Sequence, residues 1–138
     1  RVYPFQSRLI KSLRKEPKLY LWDWSEVTDD DARLENTLAS HLLKFCHFLF
    51  DAEGYKAQLY YLRDKEQREV DFLVTIDNKP WFCLEVKNSF KDIPSSLIHF
   101  GRALKIPFVY EVVKEEGVDL IKGNIRILSA SKFLSALV

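Results

Sequence analysis

The chain has 138 residues, of which 47% are hydrophobic and 30% are charged, and its formal net charge is +1. This length and composition predict a single domain with an ordinary hydrophobic core, and they exclude a largely disordered chain. No run of about 18 apolar residues could span a bilayer, and no secretory signal is present, so we expect a cytoplasmic location and no membrane partner.

Positive charge is concentrated near the N-terminus, where six Lys and Arg among the first 18 residues face only Glu16. We interpret residues 1–17 as a basic arm or the remnant of a preceding domain, and residues 18–138 as a single α/β domain. Ser7 to Lys15 fits a short amphipathic helix, and the arm could alternatively contact phosphates. Because the chain contains no methionine, we expect it to be a piece of a longer protein.

The stretch that begins at Thr28 is predicted to form a long helix. Consecutive aspartates at its start favour the positive end of the helix dipole. Its apolar positions recur at three- and four-residue spacing, and Glu35 lies on the same stripe one turn earlier. We therefore expect Glu35 to face inward, the alternative being a glutamate at the margin of the stripe that reaches water.

Three strand-like stretches follow the helix, namely Ala57 to Arg63, Glu69 to Ile76 and Trp81 to Lys87. In the second stretch, alternation places Val70 and Phe72 on one face and Asp71 on the other. A connecting loop of odd length, centred on Asn78, would place Asp71 opposite Glu85 on the third stretch. Two acidic side chains are thus expected on one face of a hairpin.

Opposed carboxylates repel each other unless a cation neutralises them or one of them stays protonated. A divalent ion such as Mg²⁺ or Mn²⁺ is the simplest explanation, since these ions prefer oxygen ligands. Lys87 points into the same space and could hold a water molecule or a phosphate oxygen. The alternative is an exposed hairpin in which Lys87 pairs with Asp71 or Glu85 across the strands.

The rest of the chain completes an α/β pattern. Pro94 opens a helix, and Ile106 to Val113 is a strongly β-prone strand, so a parallel crossover is expected between this strand and the hairpin. Gly123 to Leu128 predicts a last strand and Ser129 to Val138 a short terminal helix. The predicted fold is a mixed central sheet flanked by helices, with an α-β-β-β-α-β core.

Other polar residues give weaker signals. His99 and Arg102 lie on the outer face of the second helix, where they could contact a nucleic-acid backbone or simply face solvent. Cys46 and Cys83 have no metal-ligand spacing and are expected to be reduced, buried thiols. The chain has no phosphate loop, so any ATPase activity would lie outside these residues.

The order of Glu35 on a helix, Asp71 on one strand and Glu85-Val86-Lys87 on the next resembles the restriction-endonuclease-like, or PD-(D/E)xK, superfamily. Within it, the sequences from Arg63 to Phe72 and from Leu84 to Ser89 resemble the uncharacterised C-terminal domain of predicted bacterial and archaeal AAA-type ATPases. With the strand-like stretch after Lys18, the resemblance covers roughly residues 18 to 115.

This resemblance implies the restriction-endonuclease-like fold and a metal-dependent nuclease-like domain that hydrolyses nucleic-acid phosphodiesters. An ATPase domain would precede it in the chain. Asp71 and Glu85 would bind Mg²⁺ or Mn²⁺, helped by the carbonyl of Val86 and, through a water molecule, by Glu35. Lys87 would be the catalytic lysine, and both Glu35 and the two metal-binding carboxylates would take part in catalysis.

Two positions depart from the superfamily's pattern. Val70 stands where the superfamily's name has a proline, and the helix after Lys87 lacks the glutamine that some nuclease members carry. The alternative function is a catalytically inactive module that binds nucleic acid or protein and regulates the attached ATPase.

Overall fold

The computed structural model describes residues 2–6, 18 and 30–137, which form an α/β fold of seven strands and three helices. In chain order the elements are β1 (Tyr3–Pro4), α1 (Asp30–Glu53), β2 (Ala57–Arg63), β3 (Glu69–Ile76), β4 (Lys79–Lys87), α2 (Ser95–Ala103), β5 (Phe108–Val113), β6 (Asp119–Lys122), β7 (Ile125–Ser129) and α3 (Ala130–Ala136). The predicted amphipathic helix of the N-terminal arm and the strand-like stretch after Lys18 lie outside the described residues.

The seven strands form one mixed sheet in the order β1-β2-β3-β4-β5-β7-β6. β3 is antiparallel to both β2 and β4, whereas β5 is parallel to both β4 and β7. Helix α2 provides the crossover that the parallel pair of β4 and β5 requires. The predicted mixed sheet with an α-β-β-β-α-β core is confirmed, and β1 and β6 are two short edge strands that the sequence did not predict.

Helices cover both faces of the sheet. Leu42 of α1 and Phe133 of α3 belong to one apolar cluster, which includes Phe72 of β3. Phe100 of α2 belongs to a second cluster, which includes Leu73 of the same strand. Neighbouring residues of a strand point to opposite faces, so β3 contributes side chains to both clusters. The core therefore has two apolar layers, one on each side of the sheet.

The hairpin of β3 and β4 closes through a two-residue turn, in which Asp77 has φ 50° and Asn78 has φ 66°. The predicted loop of odd length is therefore wrong. A bulge at Trp81 compensates for the difference. The Cα partners are Ile76↔Lys79 and Thr75↔Pro80 before it, and Val74↔Phe82, Leu73↔Cys83 and Phe72↔Leu84 after it. One step further in this register lie Asp71 and Glu85, the two positions that the sequence predicted to be opposed.

A second bulge interrupts β3 at Asp71. The Cα partners between β2 and β3 are Tyr60↔Leu73 and then Leu62↔Val70. Asp71 and Phe72 therefore both lie opposite Tyr61, which is the arrangement of a β-bulge. The strict alternation predicted along β3 is wrong here, because Val70 packs in the α2 cluster together with Leu73. The bulge frees Asp71 from the α2 face and lets it approach α1.

The turn provides a test of the hairpin geometry. Positive φ angles suit asparagine and glycine but strain β-branched residues. We expect Asn78→Val to lower the free energy of unfolding by about 1–2 kcal/mol, and Asn78→Gly to leave it unchanged or raise it slightly. Urea unfolding measures both changes. Lys79→Val, at the first residue of β4, is the matched control, and an equal loss in the two valine variants would contradict this account of the turn.

Candidate functional site

A cleft of about 530 Å³ opens where the first turns of α1 approach the C-terminal end of β4. Its lining consists of Ala32, Leu34, Glu35, Asp71, Glu85, Val86, Lys87, Asn88, Ser89 and Lys91. All five residues that the sequence predicted for the site belong to this set. The structure thus brings together side chains from one helix and two strands.

Glu35 reaches the cleft from α1. Leu38, Ala39 and Leu42, which follow it at helical spacing, are fully buried against the sheet. Because residues three and four positions apart share a helix face, Glu35 continues their stripe towards the helix start. Its side chain is partly buried, and its carboxyl group interacts with that of Asp71. Glu35 therefore faces inward.

Asp71 is held at the point where the ladder between β3 and β4 ends. The last backbone pair is Phe72↔Leu84. Beyond it, the Val86 N–H donates a hydrogen bond to Asp71 Oδ2, with an N···O distance of 2.9 Å. A side-chain oxygen thus takes the place of a backbone acceptor. The bond fixes the Asp71 carboxyl group between the strands, where it interacts with the carboxyl groups of both Glu35 and Glu85.

Two of the three carboxyl groups, those of Glu35 and Glu85, have pKa values far above the ordinary range. Burial, followed by the hydrogen bond to Asp71 and its negative charge, raises the pKa of Glu85 to about 10. The same causes in the same order raise the pKa of Glu35 to about 8. A hydrogen bond between two carboxyl groups needs a proton, since two carboxylates can only accept. At neutral pH the cluster therefore holds protons where a cation would otherwise balance its charge.

Positive charges lie around the carboxyl cluster without neutralising it. The charge of Lys87, an exposed residue, lowers the pKa of Glu85, and that of Lys18 lowers the pKa of Glu35. Lys18 also forms a salt bridge with Glu69. Both glutamate pKa values nevertheless remain well above their ordinary range. The available lysines thus offset only part of the mutual repulsion.

The donor set fits a hard divalent cation such as Mg²⁺ or Mn²⁺. Carboxylate and carbonyl oxygens are the ligands these ions prefer, and proton-sharing carboxyl groups are those that a cation would neutralise. Across residues 2–6, 18 and 30–137, no group of three or more Asp, Glu, His or Cys side chains already stands in an arrangement that could hold a metal ion. Mg²⁺ usually binds through one or two carboxylates and keeps several waters. Asp71 and Glu85 can supply such a pair.

Glu111 is a residue near the site that the sequence analysis missed. It lies on β5 as the Cα partner of Glu85, and it is only 1% exposed. The available signal was a glutamate inside a strongly apolar strand, the same signal that singled out Asp71 and Glu85. It was passed over because Glu111 has no acidic or basic neighbour at strand spacing in its own strand.

The other predicted polar candidates lie outside the cleft. His99 Nε2 is 3.7 Å from Asp64 Oδ2, and Arg102 lies beside His99 in a separate pocket along α2. Cys46 and Cys83 are free and buried, as predicted, and burial raises the pKa of Cys83 to about 12. The two cysteines pack in the apolar clusters on opposite faces of the sheet.

The fold and the cleft define an α/β domain that is distinguished by a cluster of carboxyl groups beside a lysine. Comparison with known protein families matches residues 31–133 to the family described as Domain of unknown function (DUF4143), and the chain belongs to this family. No curated protein and no solved structure gives a significant match. In the part of the chain that the structure describes, no helix is both long enough and apolar enough to cross a membrane.

The raised glutamate pKa values predict a pH-dependent stability of the metal-free protein. The folded state keeps the Glu35 proton up to about pH 8, whereas the unfolded chain releases it near the ordinary value of 4.5. The contribution of the bound Glu35 proton to the stability of the folded state is therefore complete below pH 4.5 and is lost as the pH rises to about 8. For Glu85 the corresponding loss extends to about pH 10. We expect the free energy of unfolding to fall between about pH 5 and pH 8, by up to about 1.4 kcal/mol per pH unit for each of the two glutamates.

Urea unfolding over this pH range measures the effect. Glu35→Gln removes one of the titrating groups and should flatten the decline. Glu53→Gln, at the exposed far end of α1, is the matched control and should leave it unchanged. A decline of the same slope in wild type and Glu35→Gln would show that the carboxyl cluster is not its source.

Proposed function

We propose that this protein contains a Mg²⁺- or Mn²⁺-dependent nuclease-like domain, which hydrolyses phosphodiester bonds in nucleic acids and forms the C-terminal part of an AAA-type ATPase. The observation that carries the proposal is the convergence of Asp71, Glu85 and Lys87 on one cleft, with Glu35 beside them. The same residues in the same chain order give the resemblance to the PD-(D/E)xK superfamily. The proposal thus has support from both the motif and the geometry.

In this proposal Asp71 and Glu85 bind the ion, and the carbonyl of Val86 is a further ligand. The hydrogen bond from the Val86 N–H keeps the Asp71 carboxylate in place for that role. When bound, the ion would lower the pKa of a water molecule and stabilise negative charge on the phosphate oxygens. Glu35 would hold a second water molecule at the edge of the site.

Lys87 orients the attacking water and screens the charge that develops on the phosphate. It lies two residues after Glu85 on β4, and it lines the same cleft as Asn88 and Ser89. In the reaction the water oxygen bonds to phosphorus as one ester P–O bond breaks. The attacking water gives up a proton to solvent, and the departing ester oxygen takes one up from solvent to leave as an alcohol. A lysine at this position keeps a positive charge beside the reacting phosphate throughout.

A second function, a binding module without catalysis, is favoured by one observation. The acidic side chains do not yet form a group of three that could hold a metal ion anywhere in the described part of the chain. A domain with this cleft could contact nucleic acid or protein and regulate the attached ATPase without cleaving anything. The two functions differ in whether the protein cleaves nucleic acid. In the nuclease, that cleavage depends on Asp71 and Lys87.

Cleavage assays with Mn²⁺ and Mg²⁺ test the nuclease directly. Wild type should cut plasmid, single-stranded DNA or RNA, and chelation of the metal should stop the reaction. Asp71→Asn and Lys87→Met should each lower the rate by at least about 100-fold, because each removes a group that acts on the reacting phosphate or its metal.

Lys79→Met is the matched control for Lys87→Met, since both lysines are exposed and lie at opposite ends of β4. It should leave the rate unchanged. The nuclease proposal would be overturned if wild type cleaved none of the three substrates, or if Lys87→Met kept full activity. The binding module would then be the remaining function.

Metal binding should release protons from the carboxyl cluster. Glu35 and Glu85 hold protons at neutral pH because their pKa values are about 8 and 10, and a cation must displace protons from the carboxylates that it binds. Calorimetric titration with Mn²⁺ in two buffers of different ionisation enthalpy should show release of about one proton per ion at pH 7. Asp71→Asn should abolish the binding, and binding without buffer dependence would contradict the proton-sharing cluster.

A further inference from the structure

Glu111 is a buried acid on β5, next to the cleft residue Glu85 of β4. Oε2 of its carboxyl group is buried and has no hydrogen-bond partner among the described residues. A buried polar atom without a partner costs about 1–3 kcal/mol, so its presence needs a reason. The carboxyl group does not line the cleft itself.

The sheet places Glu111 on the same face as two of the site residues. β4 and β5 are parallel, with Cα partners Glu85↔Glu111 and Lys87↔Val113. Paired residues of neighbouring strands point to one face, and so do residues two apart along a strand. Glu85, Lys87 and Glu111 therefore project from the same side of the sheet, with Lys87 diagonal to Glu111.

Lys87 is the cation that acts on both acids. Its positive charge lowers the pKa of Glu85 and offsets part of the effect of burial, which raises the pKa of Glu111. The lysine side chain is a flexible four-carbon stem that ends in a single charged group. An exposed lysine of this kind samples many rotamers unless a carboxylate restrains its ammonium group.

We infer that Glu111 is a positioning residue, whose carboxylate accepts a hydrogen bond from the Lys87 ammonium group and fixes it beside Asp71 and Glu85. This inference rests on the proposed function. Once the charge of Glu85 is neutralised by a bound ion, Glu111 is the remaining carboxylate of β4 and β5. The ammonium group then turns from Glu85 to Glu111 and stays at the floor of the cleft, and the unpartnered Oε2 gains its donor.

A double-mutant cycle of Glu111→Gln and Lys87→Met tests the inference. Glutamine keeps the shape of the side chain but removes its charge. In the Mn²⁺-dependent cleavage assay, Glu111→Gln should lower kcat about 10-fold with little change in KM, because only the alignment of Lys87 is lost. In the Lys87→Met background the same substitution should have no further effect. Glu115→Gln, at an exposed position after β5, is the control and should behave as wild type.

Thermal unfolding of the same four proteins is a second readout that does not depend on catalysis. With Mn²⁺ present, Lys87→Met should lower the midpoint by roughly 3 °C more in wild type than in the Glu111→Gln background. Additive shifts, or a loss of kcat that persists in the Lys87→Met background, would overturn the inference and assign Glu111 a packing role. If wild type shows no cleavage, the proposed function fails, and the thermal cycle alone decides whether the two side chains form a pair.

Discussion

The hydrogen bond from the Val86 N–H to Asp71 Oδ2 is the contact on which the cleft depends. Two bulges make it possible. The bulge at Trp81 sets the register between β3 and β4, and the bulge at Asp71 releases this residue from the alternation of its strand. A slip of one residue would move every side chain of a strand to the other face. The position of the acidic cluster is therefore fixed by the joint pairing of β2, β3 and β4.

The carboxyl cluster places mutually repelling acidic groups inside an otherwise apolar sheet. Phe72 and Leu84, the neighbours of Asp71 and Glu85 in the chain, are fully buried. The surrounding core therefore provides little solvation for additional negative charge. Such an arrangement weakens the folded state, and the rest of the core must offset that loss. Proteins retain features of this kind where binding or chemistry requires them, and elsewhere an apolar pair would serve stability better.

Periodicity in the sequence was enough to predict the fold class. It also predicted that Glu35, Asp71, Glu85 and Lys87 would lie close together. The same reasoning failed in detail wherever a bulge occurs. It gave Val70 the wrong face and the hairpin a loop of the wrong length, because a bulge depends on the partner strand and leaves no mark on the periodicity of its own strand. Edge strands β1 and β6 were not predicted from the sequence, because two to four residues are too few to show a periodic pattern.

Strand β1 has a consequence for where the folded unit begins. It pairs with Tyr60 and Tyr61 along the outer side of β2, and its neighbours Val2 and Phe5 are 0% and 6% exposed. The family match begins only at residue 31, so this edge of the core lies outside the matched region. A protein cut at that boundary would present the bare backbone of β2 beside an opened apolar surface, which is a template for self-association. Aggregation of such a fragment would then reflect the missing edge strand and not an intrinsic property of the family's fold.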